Sequence, residues 1–166
     1  KDGHIVIIAP EDFPRYKPKE KTIEEIAKQA NQLNAIAILP HIFGFNGMCR
    51  NKDGKEKAET LVKTGLVDFV EIFSAMHISM HNKKAEEFYR DLIEKGFIGK
   101  NSARGIAVSD ASYFDDLGVS YTEFEVENAN AGNIFSKLKT ARTRVGRENS
   151  ICLKNKLRYA LAYLTS

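Results

Sequence analysis

Asp110 closes one apolar run, Gly105-Ile106-Ala107-Val108-Ser109-Asp110-Ala111-Ser112, and His41 closes another, Ala35-Ile36-Ala37-Ile38-Leu39-Pro40-His41. A carboxylate and an imidazole at the ends of buried strands are suited to share Zn, Mn or Fe, because these cations accept mixed nitrogen and oxygen ligands. A divalent ion polarises a phosphoryl oxygen and lowers the pKa of a bound water, which is the chemistry of a hydrolase. His4 opens a third apolar run, His4-Ile5-Val6-Ile7-Ile8-Ala9, and completes a candidate metal-ligand set of His4, His41 and Asp110. None of the three has a second ligand at local spacing, so the fold alone can bring them together. A lone histidine is as readily a surface or hydrogen-bonded core imidazole as a ligand.

Other reactive groups invite milder readings. His77 and His81 are four apart and could share a helical face, but no Glu sits beside them as in a metalloprotease helix, so the surface is the predicted place for both. Glu71 lies inside Val67-Asp68-Phe69-Val70-Glu71-Ile72-Phe73. If buried it needs a partner or a metal, whereas strict alternation would put it on a wetter side of the strand. Cys49 follows a glycine-containing loop close after His41, yet no Cys/His/Asn order accompanies it, and an idle thiol is the reading. Gly44 and Gly47 lack the spacing and helix of a phosphate-binding loop and read as turn formers, so no nucleotide cofactor is indicated.

Strands and helices alternate along the chain. The first apolar run predicts a strand, and Pro10, Pro14 and Pro18 make a loop of the next segment. Thr22-Ile23-Glu24-Glu25 has the form of a capping box, which predicts a helix from Ile23 to about Leu33. A strand at Ala35 to Leu39, a short helix near Glu56 to Lys63 closed by Gly65, and a strand at Val67 to Phe73 follow. Ala85, Phe88, Tyr89, Leu92 and Ile93 set a helix over Lys83 to Lys95, ahead of a strand at Gly105 to Ser109. The period-two pattern Ser120 to Val126 predicts an edge strand, with helices at about Ala129 to Thr140 and Ile151 to Leu164. This order predicts an α/β fold with mostly parallel strands, as an open sheet or part of a barrel.

With 166 residues, 43% apolar and 28% charged, the chain suits one domain. No stretch is apolar for the roughly 18 residues of a membrane span, and the first residues have no signal-peptide character, so a cytoplasmic protein without a membrane partner is expected. Cys49 and Cys152 lack CxxC spacing, which points to reduced thiols. The net charge of +3 conceals a split. From Ile134 onward eight basic residues (Lys137, Lys139, Arg142, Arg144, Arg147, Lys154, Lys156, Arg158) face one acid, Glu148. That tail, about 134–166 and expected to be helical, is either a solvated face or a contact for phosphate or nucleic acid.

The ordered set of segments resembles the PHP (polymerase and histidinol phosphatase) superfamily. The likeness rests on the Ala-Ile-Leu-Pro-His strand end, Val-Asp-Phe-Val-Glu-Ile-Phe, Asn82-Lys83-Lys84-Ala85, Val108-Ser109-Asp110-Ala111 and Asp116-Leu117-Gly118-Val119-Ser120-Tyr121-Thr122, over roughly residues 3 to 145. It implies an incomplete distorted (β/α)7 barrel in a single domain over 1–166, beginning part way round because the family's His-x-His strand has no counterpart. It also implies two or three divalent ions per complete site, with His4, His41 and Asp110 as ligands, and hydrolysis of phosphate esters by metal-activated water. The partner implied is a phosphorylated small molecule or nucleotide. Ser112 stands where the family has its last histidine, and Pro40-His41 reverses the usual His-Pro. Those departures leave two other readings, a degenerate PHP-like binding domain and an RNA-binding subunit on a related barrel.

Overall fold

Alternating apolar positions in the strands Ile36–Leu39 (β2) and Phe69–Ser74 (β3) supply two buried faces, and helices cover both. The computed structural model describes residues 3–9, 13–15, 20–44, 46–99, 103–147 and 155–156. Strand β1 (Val6–Ile8) starts a four-stranded sheet of order β1-β2-β3-β4, with β4 at Arg104–Val108. Pairs β2–β3 and β3–β4 are parallel and β1–β2 is antiparallel, so the sheet is mixed and mostly parallel. The strand order matches the chain order.

One face of the sheet packs on helices α1 (Ile23–Gln32), α2 (Lys52–Lys63) and α3 (Ser79–Glu94) through Ala27, Ala30, Leu61, Val62, Phe88 and Leu92. On the other face Ile36, Phe69 and Ile106 meet Phe135 and Leu138 of α4 (Ala131–Thr140). Full burial of a side chain such as Phe69 or Leu92 contributes roughly 1.5–3 kcal/mol. Arg104 ties α4 to the sheet, stacking 4.4 Å over the Phe69 ring while donating to the carbonyls of Lys139 and Ala141 at the helix end. Strand β5 (Ser120–Glu123) pairs antiparallel with β6 (Arg144–Arg147). This ribbon meets β4 through side chains, since the Thr122 hydroxyl donates to the Ala107 carbonyl at 2.8 Å and accepts from its N–H at 2.9 Å.

Several elements depart from the sequence prediction for identifiable reasons. Helix α2 starts at Lys52 because the Asn51 side chain accepts from the Gly54 N–H at 2.8 Å. Gly54 is the residue that lets this turn lie against the Met48 carbonyl. Helix α3 starts a turn early at Ser79, and its N-cap Ile78 makes no side-chain cap that a sequence could advertise. Strand β5 ends at Glu123 rather than Val126. The tail expected to be helical contains β6, whose Gly146 lies against the Tyr121 ring. The helix predicted at Ile151 to Leu164 lies outside the described residues except for positions 155 and 156. Among the described residues no helix is long and apolar enough to cross a membrane.

Candidate metal centre

The topology sends four chain segments to one edge of the sheet. Strands β2, β3 and β4 run parallel, so the residues that follow them emerge together, the usual place for chemistry in α/β folds. Antiparallel β1 brings its amino end to the same edge, and continuing the Val6–Ile38 register puts His4 opposite Pro40. His4, His41, His77 and Asp110 are thereby neighbours. The His4 and His41 rings lie 5.5 Å apart, His41 and His77 5.6 Å, and His77 and His81 5.8 Å, all edge to face. All four histidines of the chain thus form one row.

Within that row His41, His77 and Asp110 bring one ligand atom each to within 4.8 Å of one another. Two ligands roughly 2.1 Å from a shared ion are at most about 4.2 Å apart, so a small contraction around a cation suffices. Two imidazoles and a carboxylate suit Zn, Mn or Fe, and the residues present therefore fit a divalent ion. His4 stands beside this triad, its Nδ1 3.3 Å from Nε2 of His41. Burial pushes the pKa of His41 down and that of His77 down to about 4, while Asp110 pulls both back up. Both rings are neutral at pH 7, as ligation requires.

Local backbone chemistry holds each ligand. Pro40 cannot extend the β2 ladder, and the chain turns at His41, whose φ is 28° and whose carbonyl accepts from the Gly44 N–H at 2.7 Å. Asp110 has φ 51°, and a left-handed conformation at two such residues costs of order 1 kcal/mol each, a strain that collects at functional sites. A Cβ at Gly44 would come within 2.7 Å of the His77 ring, so only glycine permits this approach. Lys156 donates to the His77 carbonyl at 2.9 Å.

Asn82 fixes the β3–α3 turn that carries His77. Its buried amide accepts from the Ser74 N–H at 3.0 Å and donates to the Ser74 carbonyl at 2.9 Å. An Asn82→Ala substitution would take its partner from the buried Ser74 N–H and leave the Ser74 carbonyl with the His77 N–H at 3.2 Å, and should cost about 1–3 kcal/mol. Denaturant titration of the variant reads that loss, and unchanged stability would mean that water replaces the amide.

Glu71 is 5% exposed, lying by alternation on the covered Phe69 face rather than on a wetter one. It accepts from the His41 backbone N–H, and burial with the nearby Asp110 charge raises its pKa to about 8. Cys49 is buried with its thiol pushed up to about 12, which keeps it inert.

Of the sequence-predicted ligands, His41 and Asp110 belong to the triad and His4 adjoins it. His77 is the member that sequence reasoning sent to the surface. Half-buried in the turn after β3, it obeys the rule already applied at His41 and Asp110, and that strand-end position is the signal that would have found it. Ser112 is exposed. The chain matches no family model, no curated protein and no solved structure.

Proposed function

We propose that the protein is a metal-dependent phosphoesterase of PHP-like type, its sheet forming part of a distorted (β/α)7 barrel. The observation that carries the reading is the convergence of all four histidines with Asp110 at one sheet edge. A divalent ion bound there supplies Lewis acidity toward a phosphoryl oxygen and lowers the pKa of water. The chain contributes the neutral His41 and His77 rings, the Asp110 carboxylate and a strained backbone that aims them. Glu71, protonated at neutral pH in the metal-free protein, accepts from the His41 backbone N–H and so holds that loop.

The test is metal content together with turnover of p-nitrophenyl phosphate and its diester in Mn or Zn. Stoichiometric metal with turnover is the expected result, whereas neither would end the proposal. Metal without turnover would favour the degenerate binding domain, which the exposed Ser112 in place of a histidine motivates. RNA recognition through the basic tail would require binding that weakens steeply with salt. Arg142 and Arg144 are exposed there.

A further inference from the structure

A cavity of about 370 Å³ adjoins the histidine row, lined by Phe43, Gly44, Cys49, Arg50, His81 and Lys84. It shares a wall with the metal centre, because Gly44 lies against the His77 ring and the His81 ring meets that same ring edge to face. Its polar side chains are a guanidinium, an ammonium and an imidazole, and among the described residues no carboxylate lines it. The inert Cys49 thiol adds no negative charge. Two larger cavities differ in kind. One sets Glu24, Asp53 and Glu56 beside Lys57 and is acidic, and the other sets Glu123 and Glu125 among Lys137, Arg142 and Arg144, so carboxylates line both. Helix α3, which carries His81 and Lys84, has no acid in its first turn, leaving the positive end of its dipole uncompensated beside the cavity.

We infer that this cavity holds a second, non-scissile phosphate of the substrate, gripped by Arg50, Lys84 and His81. The inference rests on the phosphoesterase reading for its substrate and on the cavity's own charge for its ligand. An arginine fork matches two phosphate oxygens at once, and a lysine adds a point charge that needs no fixed geometry. The volume leaves room for a phosphate with part of its carrier, against the apolar wall of Phe43. Substrates with two phosphoryl groups are therefore favoured over simple monoesters.

Two arms test it on the full chain. In the first, inorganic phosphate is titrated into protein freed of metal by chelation and dialysis. Binding should weaken by roughly tenfold or more in Arg50→Ala with Lys84→Ala, two exposed positions whose loss leaves the core intact. No binding, or equal binding in the variant, overturns the inference. In the second arm the metal-loaded protein is given glucose 1,6-bisphosphate and glucose 6-phosphate, and the preference in kcat/KM for the bisphosphate should collapse in the same variant. A preference unaltered by the substitutions would show a cavity for free phosphate and overturn the substrate assignment. Phosphate binding that depends on Arg50 and Lys84 in a protein with no turnover would instead leave the anion site standing and remove the phosphoesterase reading.

Discussion

An Asp110→Asn variant should bind Zn and Mn at least about a hundredfold more weakly than the parent, because it removes the only carboxylate of the triad. Asparagine is the informative replacement. Asp110 sits at φ 51°, a conformation asparagine tolerates and alanine does not, so Asp110→Ala would mix backbone strain with lost ligation. Without that charge the remaining donors are neutral rings, and the field that raises the pKa of both His41 and His77 is gone. Isothermal titration with each metal reads the affinity, and circular dichroism checks the fold. His77→Ala is the companion that separates geometry from sequence. A site built on His4, His41 and Asp110 alone is indifferent to His77, whereas the observed triad predicts a loss as large as that of Asp110→Asn. Undiminished metal affinity in both variants would dismantle the proposed centre.

The sequence held most of the frame, since capping chemistry and apolar periodicity act locally. Thr22 and Glu25 form the capping box their spacing predicts, with Glu25 accepting from the Thr22 N–H at 2.7 Å. What it withheld was direction. The run Ile5 to Ile8 reads as a strand whichever way it lies, yet a parallel β1 would carry His4 to the opposite edge from His41. Antiparallel pairing is decided by contacts across the sheet, and those have no local signature. His77 escaped for a related reason: the spacing to His81 suggested a helical face, while α3 begins only at Ser79 and leaves His77 in the turn. Glu71 could be judged only once the second sheet face was known to be covered by α4, because alternation gives sides and not what lies over them. The cationic cavity joins Phe43, Arg50 and Lys84 from separate elements, and nothing in their spacing announces it.

Metal-free protein should lose stability relative to Glu71→Gln as pH rises from 6.5 to 8. Folding raises the Glu71 pKa from 4.5 to about 8, so the folded state holds a proton that the unfolded state gives up. Stability is therefore fully present below 4.5 and declines as pH climbs through the folded value, a linkage of about 5 kcal/mol over the whole range. The histidines act in the other direction. His77, lowered from 6.5 to about 4, and His41 and His81, also lowered, favour the fold above 6.5 and weaken it as pH falls toward their folded values. At pH 6.5 half of the unfolded rings are still charged, so this opposing rise fades only toward pH 8, and the comparison with Glu71→Gln isolates the carboxyl. By chemical denaturation the parent should thus lose about 1–2 kcal/mol relative to Glu71→Gln between pH 6.5 and 8. A cation at the neighbouring triad favours the Glu71 carboxylate, so adding Zn should shrink that relative loss. Parallel pH profiles in the two proteins would mean that the Glu71 carboxyl is already ionised in the folded protein.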